Sequence, residues 1–169
     1  SRILVQKGVY DAVVERMADR YRSLRVGSAL SDKDVGPLIS ARQQQIVETY
    51  LGKGSDLELV AQGALSEDAP DGGFYVAPHL FSGVRADHVL AQEEIFGPVQ
   101  VIIPFEDEAE ALAIANGTAF GLVASIWSRD GARQMRLARQ VRSGQVFLNN
   151  YGAGGGVELP FGGTGLSGH

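Results

Sequence analysis

Val99-Gln100-Val101-Ile102-Ile103, Leu122-Val123-Ala124-Ser125-Ile126-Trp127 and Gln145-Val146-Phe147-Leu148 punctuate one continuous stretch, residues 99–148, with two helix-patterned segments between them. The first run is β-branched and mostly apolar, as a strand buried on both faces requires. Asp107, with Glu110 three residues on, has the form of a capping box and predicts a helix to about Asn116. Asp130 is placed to cap a second helix reaching Val141. Strand, helix, strand, helix, strand with short connections argues for parallel pairing, because parallel neighbours need a crossover. The expected fold class is therefore α/β, a mostly parallel sheet flanked by helices.

Working outward from there, Leu57-Glu58-Leu59-Val60-Ala61 alternates as a strand does, and Phe74-Tyr75-Val76 is a short strand candidate ending before Pro78. Ser40 stands three residues before Gln43 and predicts a capped helix through about Leu51, stopped by Gly52 and Gly54. Val9, Val13, Met17, Tyr21 and Leu24 recur at helical spacing and predict an amphipathic helix. Ile3-Leu4-Val5 is apolar from the outset, so the chain is expected to begin inside a fold. Residues 149–169 are glycine-rich and carry no regular period.

The chain has 169 residues with 15 Lys and Arg against 20 Asp and Glu, a net charge of −5. That balance argues against a nucleic-acid binder or a partner for anionic membranes, both of which need positive charge. No apolar run approaches the length of a membrane span, and Ser1 to Gln6 is no signal peptide. With no cysteine in the chain, a disulfide framework, a thiolate metal site and a cysteine nucleophile are excluded within it. These absences point to a cytoplasmic location.

Gly163-Thr164-Gly165-Leu166-Ser167-Gly168 spells a dinucleotide fingerprint, but that motif works only between a strand and a helix, and no helix is expected here. The three histidines lack ligand spacing, so no metal site is expected. Arg129, Arg133, Arg136, Arg139 and Arg142 recur at helical spacing and read best as a solvated face. Glu93-Glu94-Ile95-Phe96-Gly97-Pro98 invites two readings. It is a turn leading into a core strand, or a turn presenting a carboxylate that accepts two hydrogen bonds from a diol such as a ribose.

Gln92-Glu93-Glu94-Ile95-Phe96-Gly97-Pro98-Val99 resembles the E-E-I-F-G-P segment of the aldehyde dehydrogenase superfamily. Val35-Gly36-Pro37-Leu38-Ile39-Ser40, Gly73-Phe74-Tyr75-Val76-Ala77-Pro78, Ala115-Asn116-Gly117-Thr118-Ala119-Phe120-Gly121-Leu122 and Pro160-Phe161-Gly162-Gly163 follow that family's order and spacing. Together they cover essentially the whole chain. The resemblance implies that residues 1–169 are the C-terminal portion of the catalytic domain, truncated at both ends. It places the catalytic cysteine a few residues before Ser1-Arg2 and the general-base glutamate and dinucleotide-binding glycines further upstream. No residue of this chain is then catalytic, and the chain alone is expected to be inactive.

What the resemblance implies for the parent is oxidation of an aldehyde to a carboxylic acid with NAD or NADP, through a cysteine thiohemiacetal and a thioester. Glu94 would bind the nicotinamide ribose hydroxyls and Phe96 would pack beside the nicotinamide end. Asn149 would sit near the active-site mouth, and Tyr151 to Leu159 would line the aldehyde channel. A homo-oligomer is expected. Many members carry Lys where this chain has Gly165, which weakens any subfamily inference. The competing reading is a non-catalytic binding or oligomerisation module built on the same fold.

Overall fold

The computed structural model describes residues 1–152 and 160–168. The chain divides into two compact units, Ser1–Phe105 and Glu106–His169, each described here by itself.

The first unit is built on β1 (Arg2–Gln6), α1 (Tyr10–Ser23), β2 (Arg25–Val26), α2 (Ala41–Lys53), β3 (Glu58–Gln62), β4 (Ala64–Leu65), β5 (His79–Ser82), α3 (Val89–Gln92) and β6 (Val99–Phe105). Its main sheet has the order β1-β6-β5-β3. β6 runs parallel to both β1 and β5, with Ile102 opposite Ile3 and Val101 opposite Phe81. β3 closes the other edge antiparallel to β5, with a register shift between Leu59 and Ala61. β2 and β4 form a separate two-stranded parallel pair.

Strand alternation divides the apolar side chains of β6 between two faces. Ile102 and Leu80, both fully buried, join Val5, Ala18 and Ala61 in a core covered by Val13, Val14, Met17 and Tyr21 of α1. Val13, Met17 and Tyr21 belong to the expected apolar stripe, Val14 joins them, and Val9 and Leu24 fall just outside the helix, with Val9 exposed. On the other face lie Val99, Val101 and Ile103, all buried. Tyr21 also donates from its hydroxyl to Gln100 Oε1 at 2.5 Å, tying α1 to β6.

Phe74-Tyr75-Val76 is not a strand; the strand of that region is β5, on the far side of Pro78. The reason lies in where the amides go. Tyr75 N turns back to Gly73 O, whereas His79 N donates to Pro98 O at 2.8 Å and so begins the ladder with β6. Proline lacks only its own donor, and Pro78 O still accepts from Gly63 N. Pro78 therefore precedes the strand rather than ending one.

The second unit comprises α4 (Glu108–Asn116), β7 (Phe120–Gly121), β8 (Val123–Ile126), α5 (Gly131–Ala138), β9 (Gln145–Leu148) and β10 (Thr164–Gly165). β8, α5 and β9 make a parallel crossover with Val123 opposite Gln145 and Ile126 opposite Leu148, but the expected pairing of the Val99 strand with them does not form, because β6 takes β1 and β5 as its partners. Asp107 and Asp130 cap α4 and α5 as their spacing requires, accepting from Glu110 N and Arg133 N. The second helix is shorter than expected, ending at Ala138, with Val141 N still reaching back to Leu137 O. The fingerprint-like glycines hold β10, which pairs antiparallel with β7 and runs into a turn closed by Ser167 N on Thr164 O.

The arginine stripe is only partly a solvated face. Arg133 and Arg136 both reach Glu108 on α4, at 2.6 and 2.9 Å. Arg142 donates to Asn116 O at 2.7 Å, while Asn116 itself bridges to Gln140 O and Arg142 N. Gly144 is demanded by close approach, since a Cβ there would stand 1.7 Å from Gly162 O.

Candidate functional site

The segment joining α3 to β6 is a turn held at both ends and from below. Its apolar residues point in: Leu90, Ala91, Ile95 and Val99 are 5% exposed or less. Its other side chains point out, with Glu93 and Glu94 exposed and the Phe96 ring 75% exposed. This in-and-out alternation is what a short apolar anchor between charged residues dictates. Six residues, Glu93 to Pro98, carry the turn from α3 to β6.

The backbone pays for that path at Phe96, whose φ of 51° lies in the left-handed region. A non-glycine residue there carries a cost of roughly 1–3 kcal/mol, and such positions persist where surrounding structure over-determines them. Here α2 does so. Gln43 Nε2 donates to Ile95 O at 2.8 Å and to Phe96 O at 3.1 Å. Gly97 lies so close to α2 that a Cβ would meet Val47 Cγ2 at 2.4 Å. Val47 is itself fully buried. Downstream, Val99 N closes on Gly97 O and His79 N on Pro98 O, both at 2.8 Å.

On the α3 side, His88 Nδ1 accepts from Leu90 N and Glu93 N bonds Val89 O, so the turn starts from a fixed point. Glu94 takes part in no salt bridge among the described residues. It lies within electrostatic range of the Ser1 nitrogen. That amine donates to Val99 O at 3.0 Å. Glu94 therefore stands near the beginning of β1 as well as before β6.

Ser40 caps α2 by accepting from Gln43 N at 3.2 Å, the first half of the expected capping box. The second half is diverted, because the Gln43 side chain goes to the turn. Gln44, next along, donates to Tyr75 O at 3.2 Å, and Leu38 N bonds Phe74 O. Two adjacent glutamines thus fasten two segments to one helix. Nothing in the sequence pairs Gln43 with residues 52 positions away; a glutamine at the third helical position, without a return to the cap, is the only local sign.

Asn149 and Tyr151 belong to the second unit. Asn149 sits at φ 49°, past the end of β9, with its Oδ1 accepting from Ser128 N and its Nδ2 donating to Ser128 O, both at 2.9 Å. Its amide mimics a strand partner for the turn after β8. Tyr151 is 76% exposed and its N–H donates to Asn150 Oδ1. Leu159 lies outside the described residues. Glu94 and Phe96 are thus brought together on one turn of the first unit, and Asn149 and Tyr151 on one loop of the second.

A carboxylate beside an exposed ring, both on a pinned backbone, has the donor-accepting chemistry for a vicinal diol and a flat surface for a heteroaromatic ring.

The aldehyde dehydrogenase family model matches residues 1–169. A betaine aldehyde dehydrogenase of Mesorhizobium japonicum is 39% identical over 172 residues, covering 99% of this chain and 35% of the relative. Aldehyde dehydrogenase citD of Monascus ruber is 41% identical over 177 residues, covering 100% and 34%. Among solved structures, a candidate aldehyde dehydrogenase from Burkholderia cenocepacia superposes with a TM-score of 0.97 at 57% identity, covering all of this chain and 36% of that one. A 1-pyrroline-5-carboxylate dehydrogenase from Thermus with bound NAD gives 0.92 at 37%, covering all of this chain and 33% of that one. The chain spans about a third of the length of the relatives it matches.

Proposed function

The chain belongs to the aldehyde dehydrogenase family, and from that premise we propose that it serves an NAD- or NADP-dependent enzyme oxidising an aldehyde to a carboxylic acid. In that enzyme residues 93–98 hold the nicotinamide ribose. The observation carrying this reading is the exposed Glu94 carboxylate, free of any salt bridge among the described residues, beside the exposed Phe96 ring on a turn locked at φ 51°.

Each residue has a defined task. Glu94 accepts hydrogen bonds from two vicinal hydroxyls; charge-assisted bonds of this kind are the stronger class. Phe96 offers its ring face beside the nicotinamide end. NAD(P), when bound, supplies the hydride acceptor. Orienting that end is worth rate because a reaction between fixed partners is spared the entropy of bringing them together. Neither side chain makes or breaks a bond.

This chain has no cysteine, so the nucleophile of the proposed reaction comes from polypeptide preceding Ser1. β1 begins at Arg2 and pairs with β6 just past the Glu94 turn, so sulfur-bearing residues ahead of β1 would be delivered beside Glu94. Asn149 and Tyr151 would shape the aldehyde's approach, the first through the backbone it pins rather than through a free amide. The chain alone is inactive in this reading, and the parent works as a homo-oligomer on an aldehyde. No described helix is long and apolar enough to cross a membrane.

The test is calorimetric titration with NAD and NADP of the polypeptide at its relatives' full length, comparing the natural protein with Glu94→Gln. Loss of a charge-assisted pair of hydrogen bonds is expected to weaken binding about tenfold or more. Unchanged affinity for both cofactors overturns the reading and favours the non-catalytic module.

A further inference from the structure

We propose that Gln43 is a positioning residue for the cofactor end, acting through the backbone of the Glu94–Phe96 turn. The inference rests on the reading of Glu94 and Phe96 as the ribose holder. It goes further by assigning the turn's geometry to a side chain on a different element.

Three observations carry it. The Gln43 amide spends both its hydrogens on consecutive carbonyls, Ile95 O and Phe96 O, the two that flank the left-handed residue. Consecutive carbonyls of an extended chain point to opposite sides; the positive φ at Phe96 brings these two round to a single donor. Gln43 thus selects the conformation that exposes the Phe96 ring. Second, Val47 fills the space beneath Gly97 one helical turn further along the same face, so the turn cannot sink toward α2. Third, Ser40 caps α2 at Gln43 N and fixes where the side chain starts.

Alternatives for Gln43 are weaker. A return to the Ser40 amide, as a capping box requires, would leave both carbonyls without this donor. A role in α2 stability alone would not require its side chain to leave the helix. Gln43 is half-buried, and its reach to the turn spans 52 and 53 residues of sequence.

Gln43→Met keeps the side chain's length and removes the donor without adding charge. In the full-length protein this variant is expected to weaken NAD binding by calorimetry about fivefold, the worth of one net hydrogen bond. Hydrogen exchange followed by mass spectrometry is expected to quicken several-fold over residues 93–99, with peptides of α1 unchanged. Three results overturn the inference. Exchange that rises throughout the first unit makes Gln43 a general structural residue. NAD affinity that falls in Glu94→Gln yet stays natural in Gln43→Met removes the positioning role and leaves the ribose reading intact. Natural affinity in Glu94→Gln removes the ribose reading, and this inference falls with it.

Discussion

The two units of this chain are held by different physics. All the buried apolar side chains among the described residues lie in the first unit, from Val5 to Ile103, many of them on its four-stranded sheet. The second unit has none, and its strands β8 and β9 are half-exposed along nearly their whole length. It is joined instead by polar clips: Glu108 with Arg133 and Arg136, Asn116 with Gln140 and Arg142, Asn149 with Ser128. Exposed charge pairs are screened by salt, whereas apolar burial is not weakened by screening. The difference teaches why the candidate ribose site sits where it does. The left-handed Phe96 turn rests on the buried Val47 and the Gln43 amide of α2, whereas the left-handed Asn149 of the second unit is held by its amide's bonds to Ser128.

The sharpest way to break the contrast is to hollow out the first core. Ile102→Ala removes a fully buried side chain from the centre of the sheet and is expected to cost about 3–4 kcal/mol, read by urea unfolding. A loss below about 1 kcal/mol contradicts the description of that core. Gly97→Ala comes next. Its new Cβ meets Val47 at 2.4 Å, so the turn must shift, at a cost of about 1–3 kcal/mol, and cofactor binding falls with it.

Glu108→Ala tests the other unit and is expected to do less. The Glu108 carboxyl is held below its ordinary range by hydrogen bonds from Arg136 and Arg133, so its contribution is present above that range and fades as pH falls. Its removal should lower the melting temperature at low salt more than at high salt. An equal drop at both contradicts the clip account.

The smallest effect concerns His79, in the first unit. Burial pushes its imidazole pKa below the ordinary value, opposed by the bond to Ala77 O. A group depressed on folding contributes stability above its unfolded pKa and loses it as pH falls. A shallow loss of stability is therefore expected as pH drops below about 6.5, absent in His79→Phe. The same slope in both proteins assigns it elsewhere.

Much of this was open to reading from residues alone. Ser40, Asp107 and Asp130 cap helices because a short oxygen-bearing side chain before a helical pattern meets the amide three residues on, a purely local event. The runs at Val99, Val123 and Gln145 became strands because β-branched apolar residues have few other uses. β5 escaped because Pro78 looks like an end when the chain is considered locally, and only the distant Pro98 carbonyl shows that it is a beginning. Among candidate site residues, charge beside ring beside Gly-Pro pointed to a carboxylate of the 93–98 turn, while the choice of Glu94 and Phe96 within it rested on the family resemblance. Gln43 was not, because its partners are 52 and 53 residues off and hydrogen bonds of that range leave no period. The Arg133 and Arg136 grip on Glu108 was hidden for the same reason.

The central claim is that the Glu94 carboxylate holds a diol, and a thermodynamic cycle tests it most directly. The natural protein and Glu94→Gln are titrated with NAD and with an analogue lacking one hydroxyl of the nicotinamide ribose. If the account holds, losing the hydroxyl weakens binding several-fold in the natural protein and hardly at all once the carboxylate is gone, because both changes remove the same bond. Equal losses in the two proteins would mean that the hydroxyl and the carboxylate never meet.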